Sequence, residues 1–316
     1  MHQSSRYELL VKSLARLVEL VLQHSQSSRF IIPPTVTGSS SGFGLSICRL
    51  ALEKGDKVVA TLRRPSDIAA LAAQYPSDAL LVGKVDVTHP KEVVGAFRAA
   101  KERFGRVDIV FNNAGFSITG EVEGVPEAEA RRLMEVNFWG ALAVSKEAVR
   151  FFREENPAGM GGTLFNMSSA AGHCGVPSMG YYSAAKHALE GLTEALAMEV
   201  DPAWKIKICT LAPGFFRSEI SVKSPTLPVH HAYASAQFVV RIRGILDLVA
   251  DPAKPIPLGD VNKAVNAIYE MSTFEELPLR VFLGRECVDK VREKYRRVGA
   301  DLDGSDKWSA ALLEDQ

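Results

Sequence analysis

Short apolar runs alternate along the chain with longer stretches in which apolar residues recur every three or four positions. Aliphatic and β-branched residues cluster at 57–61, 79–85, 107–111, 163–167, 206–211 and 279–283, which the pattern predicts as strands. Between them the spacing predicts helices over 43–54 (closed by Gly55), 90–104, 126–153, 181–199 and 260–272. Strands alternating with helices of this length imply βαβ units joined by right-handed crossovers. The expected fold class is therefore α/β, a doubly wound parallel sheet with helices on both faces. Ligands of such a sheet lie beyond the C-terminal ends of its strands.

Three stretches break this rhythm. The first strand should run straight into Thr37-Gly38 at the centre of the sheet, yet Pro33 and Pro34 precede it, and proline has no ladder donor. The strand is expected to shrink to about Thr35–Thr37 or to be entered irregularly. Residues 214–258 carry Pro225, Pro228, Pro252, Pro255 and Pro257 around a helical run at 232–249. That insertion is placed to serve as a substrate lid, the alternative being an ordinary pair of packing helices. Upstream, Leu10, Leu14, Leu17, Val18 and Val21 fall at helical spacing within 6–23, but Lys12, Arg16 and Glu19 interrupt them, which excludes a membrane span. No small-residue cleavage site follows, so no secretory signal is expected. The resulting division is an extension over 1–34, one domain over 35–300 and a tail over 301–316.

Composition narrows the function classes. Of 316 residues, 47% are hydrophobic and 23% charged, as in a soluble globular protein. Lys plus Arg and Asp plus Glu both number 37, which argues against broad attraction to nucleic acid or an anionic membrane. Cys48, Cys174, Cys209 and Cys287 lie far apart with no CxxC pair, pointing to a reducing, cytoplasmic compartment. His230-His231 have no carboxylate or thiol at ligand spacing, and no metal is expected. His173 and Cys174 read as loop residues.

The candidate chemistry begins at Thr37–Gly44, TGSSSGFG, between a strand and a helix. Gly38, Gly42 and Gly44 allow a tight turn and close approach of a pyrophosphate to the helix N-terminus, although a simple turn explains them too. The spacing is not GxGxxG. The next strand ends in Arg63-Arg64, where an NAD site usually has an acid for the ribose hydroxyls. A guanidinium there suits a 2′-phosphate, so NADP(H) is expected ahead of NAD(H); the alternative is two solvated turn arginines. Tyr182 and Lys186 share one helix face, where an ammonium favours the phenolate. Ser169, just after a strand, is placed to hydrogen-bond a substrate oxygen.

TGSSSGFG, Asp86-Val87, Asn112-Asn113-Ala114-Gly115, Asn137, Ser168-Ser169, Tyr182xxxLys186 and Pro213-Gly214 follow one another in this order. The set resembles the short-chain dehydrogenase/reductase superfamily over about residues 35–284. The resemblance implies a Rossmann-type sheet of about seven strands. It implies that Ser169 orients the substrate oxygen, Tyr182 exchanges the proton, Lys186 holds the nicotinamide ribose and Asn137 supports a water relay. It assigns the cofactor to Gly38, Ser40, Ser41, Gly42, Phe43, Gly44 and Arg63 at one end. Asp86 and Val87 would meet the adenine, and Asn113, Ala114 and Gly115 the adenosine ribose. Pro213, Gly214, Phe216 and Ser218 would orient the carboxamide, with Ser218 standing where relatives more often have Thr. Phe215 would join Ser169 and Tyr182 against substrate.

The resemblance further implies a hydride transfer between nicotinamide and a carbonyl or secondary alcohol, in a homodimer or homotetramer to which Trp139 could contribute. The PGFF segment and apolar lid are similar to retinol and hydroxysteroid dehydrogenase-like carbonyl reductases, hence a lipophilic substrate. Two other classes compete. A non-catalytic NADP-binding or redox-sensing relative usually loses the tyrosine or lysine, and this chain keeps both. A sugar-nucleotide epimerase or dehydratase would need a TGxxGxxG spacing and a larger C-terminal domain.

Overall fold

The computed structural model describes residues 34–251, 253–254, 256–310 and 312. The expected amphipathic helix over 6–23, and Pro33, lie outside the described residues. Seven strands form one sheet: β1 Pro34–Thr37, β2 Val58–Leu62, β3 Leu80–Lys84, β4 Ile109–Asn112, β5 Gly162–Met167, β6 Ile206–Pro213 and β7 Arg280–Leu283. Their order is β3-β2-β1-β4-β5-β6-β7, and every adjacent pair is parallel. The chain walks outward from β1 to β3 and then returns to β4 on the other side of β1. The C-terminal ends of β1 and β4 therefore splay at a switch point, which opens a crevice there.

Pro34 is accommodated as the first residue of β1, where it pairs with Ile109 and its missing N–H falls at the strand's start. The strand is thus one residue longer than expected and enters in register, with Thr35 opposite Val59 and Val110.

Strand residues alternate between two cores because successive side chains point to opposite faces. Val110, Leu164 and Ile208 are register neighbours buried on one face, against Val93 and Phe97 of α2 (Pro90–Phe104). Phe111, Phe165 and Cys209, one step along, are buried on the other, against Ile47 of α1 (Gly42–Glu53) and Ile268 of a later helix, Val261–Ser272. Both faces being covered, the strands read as continuous apolar runs.

The helix expected over 126–153 is broken into three pieces. These are α3 (Glu127–Met134), a π-helical turn over Glu135–Gly140, and α4 (Ala141–Glu154). Apolar periodicity does not register one extra residue in a turn, so the sequence reading ran them together. α5 (Gly180–Glu199) matches expectation closely.

The 214–258 segment contains a short turn of helix at Ile220–Lys223 and α6 (Gln237–Ala250). It is tied down by a buried ion pair: Arg243 donates through Nε to Glu121 Oε1 (2.6 Å) and through a terminal nitrogen to Oε2 (2.8 Å). Ser178 Oγ and the His230 amide also donate to that carboxylate. The Arg243 guanidinium holds the Glu121 carboxyl at about 2, against the effect of burial, with His230 and Ser178 assisting. α7 is the Val261–Ser272 helix, and α8 runs from Arg285 to Ser309, across position 301 where a tail was expected to begin.

Candidate active site

A cavity of about 460 Å³ opens at the switch point. Its floor is the turn between β1 and α1. Gly38 has φ of +67° and Gly42 of +53°, the left-handed region that favours glycine. A Cβ on Gly38 would lie 2.9 Å from Ala114 Cα, and one on Gly44 would lie 2.4 Å from Gly38 O. The loop is wound too tightly for side chains at these two positions. Ser41, which precedes α1, makes no side-chain cap, so the first amides of α1 are not spent on it. Asn113 laces the floor to β4: its Nδ2 donates to Thr37 O (3.0 Å), while the Asn113 and Ala114 amides donate to Thr37 Oγ1.

Ser40, Ser41, Phe43, Arg63, Asp86, Val87, Ala114 and Gly115 line one part of the cavity. Arg64 is turned away onto Asp67, whereas Arg63 forms no ion pair among the described residues and faces the cavity. Asp86 accepts from the Thr88 amide and hydroxyl. Burial works against the charged form there, but those bonds outweigh it, with His89 and Arg63 adding, and the carboxyl lies below its ordinary value. Phe43 and Phe216, both expected at the cofactor, also pack edge to face on each other at 5.2 Å. Ser218 stands across from Gly42.

The other part of the cavity gathers Ser169, Tyr182, Lys186, Pro213, Gly214 and Phe215. Ser169 follows β5 and caps the next turn, its Oγ accepting from the Ala171 amide at 3.2 Å. Tyr182 and Lys186, both buried, occupy the first two turns of α5, with Lys186 Nζ 5.8 Å from the centre of the Tyr182 ring. Lys186 donates to Met167 O at 2.7 Å. Burial pushes the Tyr182 phenol up while Ser169 pulls it the other way. Burial brings Lys186 down to about 8, opposed by the charge of Glu190. The phenol thus lies above its ordinary value, burial outweighing what lowers it.

Asn137 and Gly44 lie outside the cavity lining. The π turn aims the Asn137 side chain at the loop after β4, where it accepts from the Phe116 amide (3.0 Å) and donates to Phe116 O (2.7 Å). A Cβ on Gly115 would lie 3.1 Å from Asn137 Oδ1 and 3.7 Å from Lys186 Nζ, so the two groups border one small space.

The sequence reading missed a group behind Lys186. His173, taken for a loop residue, is buried with Nε2 3.2 Å from Glu190 Oε1 and Nδ1 3.1 Å from the Tyr295 hydroxyl. The one legible signal was an acid one helical turn beyond Lys186 on α5. Among the described residues, no cluster of His, Cys, Asp or Glu could hold a metal ion, and no helix is long and apolar enough to cross a membrane.

The model of the short chain dehydrogenase family matches residues 35–226. An uncharacterised oxidoreductase of Schizosaccharomyces pombe is 33% identical over 285 residues, covering 89% of this chain and 91% of the relative. A 3-ketodihydrosphingosine reductase of Bacteroides thetaiotaomicron is 37% identical over 183 residues, 58% of this chain and 63% of that one. The crystal structure of a short-chain dehydrogenase from Streptomyces avermitilis superposes with a TM-score of 0.79 at 33% identity, covering 90% of this chain and all of the other (100%).

Proposed function

The chain belongs to the short-chain dehydrogenase family of NAD(P)-dependent oxidoreductases, and on that premise we propose that it reduces a lipophilic carbonyl with NADPH. The observation that carries this reading is the convergence of Ser169, Tyr182 and Lys186 on one end of a cavity whose other end is the glycine-lined floor.

The residues present fit a dinucleotide. The floor is a tightly wound turn that tolerates no Cβ at Gly38 or Gly44, and the α1 amides face a site for a pyrophosphate. Asp86, Val87, Asn113, Ala114 and Gly115 would hold the adenosine half, and Arg63 would meet a 2′-phosphate. Lys186, Pro213, Gly214, Phe216 and Ser218 would hold the nicotinamide half. When bound, that group supplies the hydride.

The remaining chemistry falls to side chains. The Ser169 hydroxyl donates a hydrogen bond to the substrate oxygen, and Tyr182 delivers a proton to the same atom. Burial raises the phenol above its ordinary value, so it is in the protonated form that a reduction needs. Asn137 and Lys186 border the space through which a proton would be resupplied. Phe116, Met179, Phe215, Ile220, Leu246 and Ala250 give the open end apolar walls, and the similar Bacteroides protein is named for a lipid ketone.

The test is a panel of aliphatic and ring ketones with NADPH. Tyr182→Phe should lower turnover by at least ~100-fold while NADPH still binds. Full activity in that variant would refute the mechanism.

A further inference from the structure

The buried carboxylate of Glu190 stands one helical turn beyond Lys186, and no step above uses it. It is 5% exposed, and β6, β7 and the turn after Ser169 each bring a polar group to it. Thr210 of β6 donates from Oγ1 to Oε2 at 3.0 Å. Arg280 of β7 donates from Nε to the same oxygen at 3.2 Å, and also pairs with Glu194 of α5. His173, on the turn that follows Ser169, faces Oε1 at 3.2 Å and is held from behind by Tyr295 of α8. A Cβ on Gly172 would lie 2.6 Å from Ser168 Oγ, 3.2 Å from Glu190 Cγ and 3.2 Å from Lys186 O, so this glycine lets the Ser169 turn close onto α5. The buried Cys209 thiol is the remaining titratable neighbour and is pushed up to about 12, first by burial and then by this carboxylate.

We propose that Glu190 is a positioning residue for Lys186. Its fixed carboxylate is the buried countercharge that keeps the lysine ammonium protonated, and Arg280 competes with the lysine for it. The inference rests on the catalytic reading of Lys186 and adds a residue to it. A buried ammonium whose visible bond is to one neutral carbonyl, Met167 O, is unfavourable without a compensating charge. The carboxylate is ionised to serve: burial opposes its charge, but His173, Ser168 and Thr210 hold it below its ordinary range. Coulombic attraction from Glu190 is what opposes desolvation at Lys186.

Two variants separate this role from a merely structural one, because they should move the same quantity in opposite directions. Glu190→Gln keeps the shape and removes the charge. It should lower the pH at which kcat/KM for a carbonyl falls on its alkaline side by about one unit, a loss of about fivefold at the wild-type midpoint that approaches roughly tenfold well above it. Arg280→Gln removes the competing cation and should raise that pH. Glu190→Asp should restore part of the wild-type profile. A structural defect would lower turnover in both variants without displacing the limb in opposite senses.

A second readout needs no turnover. The 13Cε signal of lysine, assigned by its loss in Lys186→Arg, should titrate lower in Glu190→Gln and higher in Arg280→Gln, in the cofactor-free protein. Titration unchanged in both variants would overturn the proposal. Opposite shifts without turnover in the wild type would uphold it while sinking the functional reading. Should Glu190→Gln fail to fold, the direction of the Arg280→Gln shift decides alone.

Discussion

Arg63 and Arg64 leave the same strand end in different directions. Arg64 is neutralised by Asp67, whereas Arg63 lines the cavity beside Asp86. A guanidinium presented this way distinguishes a 2′-phosphate from a hydroxyl, and a charge-assisted bond is worth about 1.5–3 kcal/mol. Arg63→Ala should therefore weaken NADPH by more than about tenfold and NADH little, read as two dissociation constants. Equal losses would remove the case for NADPH. Residue chemistry of this kind was legible in the sequence because it is local: glycines, an acid missing after a strand, and a tyrosine and lysine on one helix face. The protonation states were not legible. Tyr182 and Lys186 are shifted mainly by burial, which depends on distant elements closing over them.

At the scale of elements, strands and helices followed the apolar rhythm to within a few residues, since both sheet faces are covered and the pattern reports packing directly. The π turn was invisible to that rhythm, yet it turns Asn137 towards Phe116. The clamp on α6 was invisible too, because Glu121 and Arg243 are 122 positions apart. Breaking a buried pair strands a charge, at about 3–5 kcal/mol. Glu121→Gln should accordingly lose that much stability in urea melts at neutral pH and raise KM, since Leu246 and Ala250 of the same helix line the cavity. The pH dependence has a definite sign. Glu121 is depressed from 4.5 to about 2, so its contribution is complete above the ordinary carboxylate range and fades as pH falls towards about 2. The gap between wild type and variant should close over that window, and a gap independent of pH would argue against the clamp.

Across the whole molecule, the four cysteines are all buried, and burial pushes Cys48, Cys209 and Cys287 up to about 12. The folded protein should resist iodoacetamide at neutral pH and take up four equivalents only in denaturant, counted by mass. Rapid native labelling would contradict this packing. The long α8 was not foreseen, although Val288, Val291, Tyr295, Val298 and Leu302 fall at helical spacing along it. The short strand β1, entered through Pro34, is the one seam between the β2–β3 wing and the four strands, β4 to β7, on its other edge. Its amide protons can meet solvent only when the wings part. Val36 and Thr37 should thus be among the last amides to exchange with deuterium, at a rate set by global unfolding, and the floor of the cavity inherits the persistence of that seam.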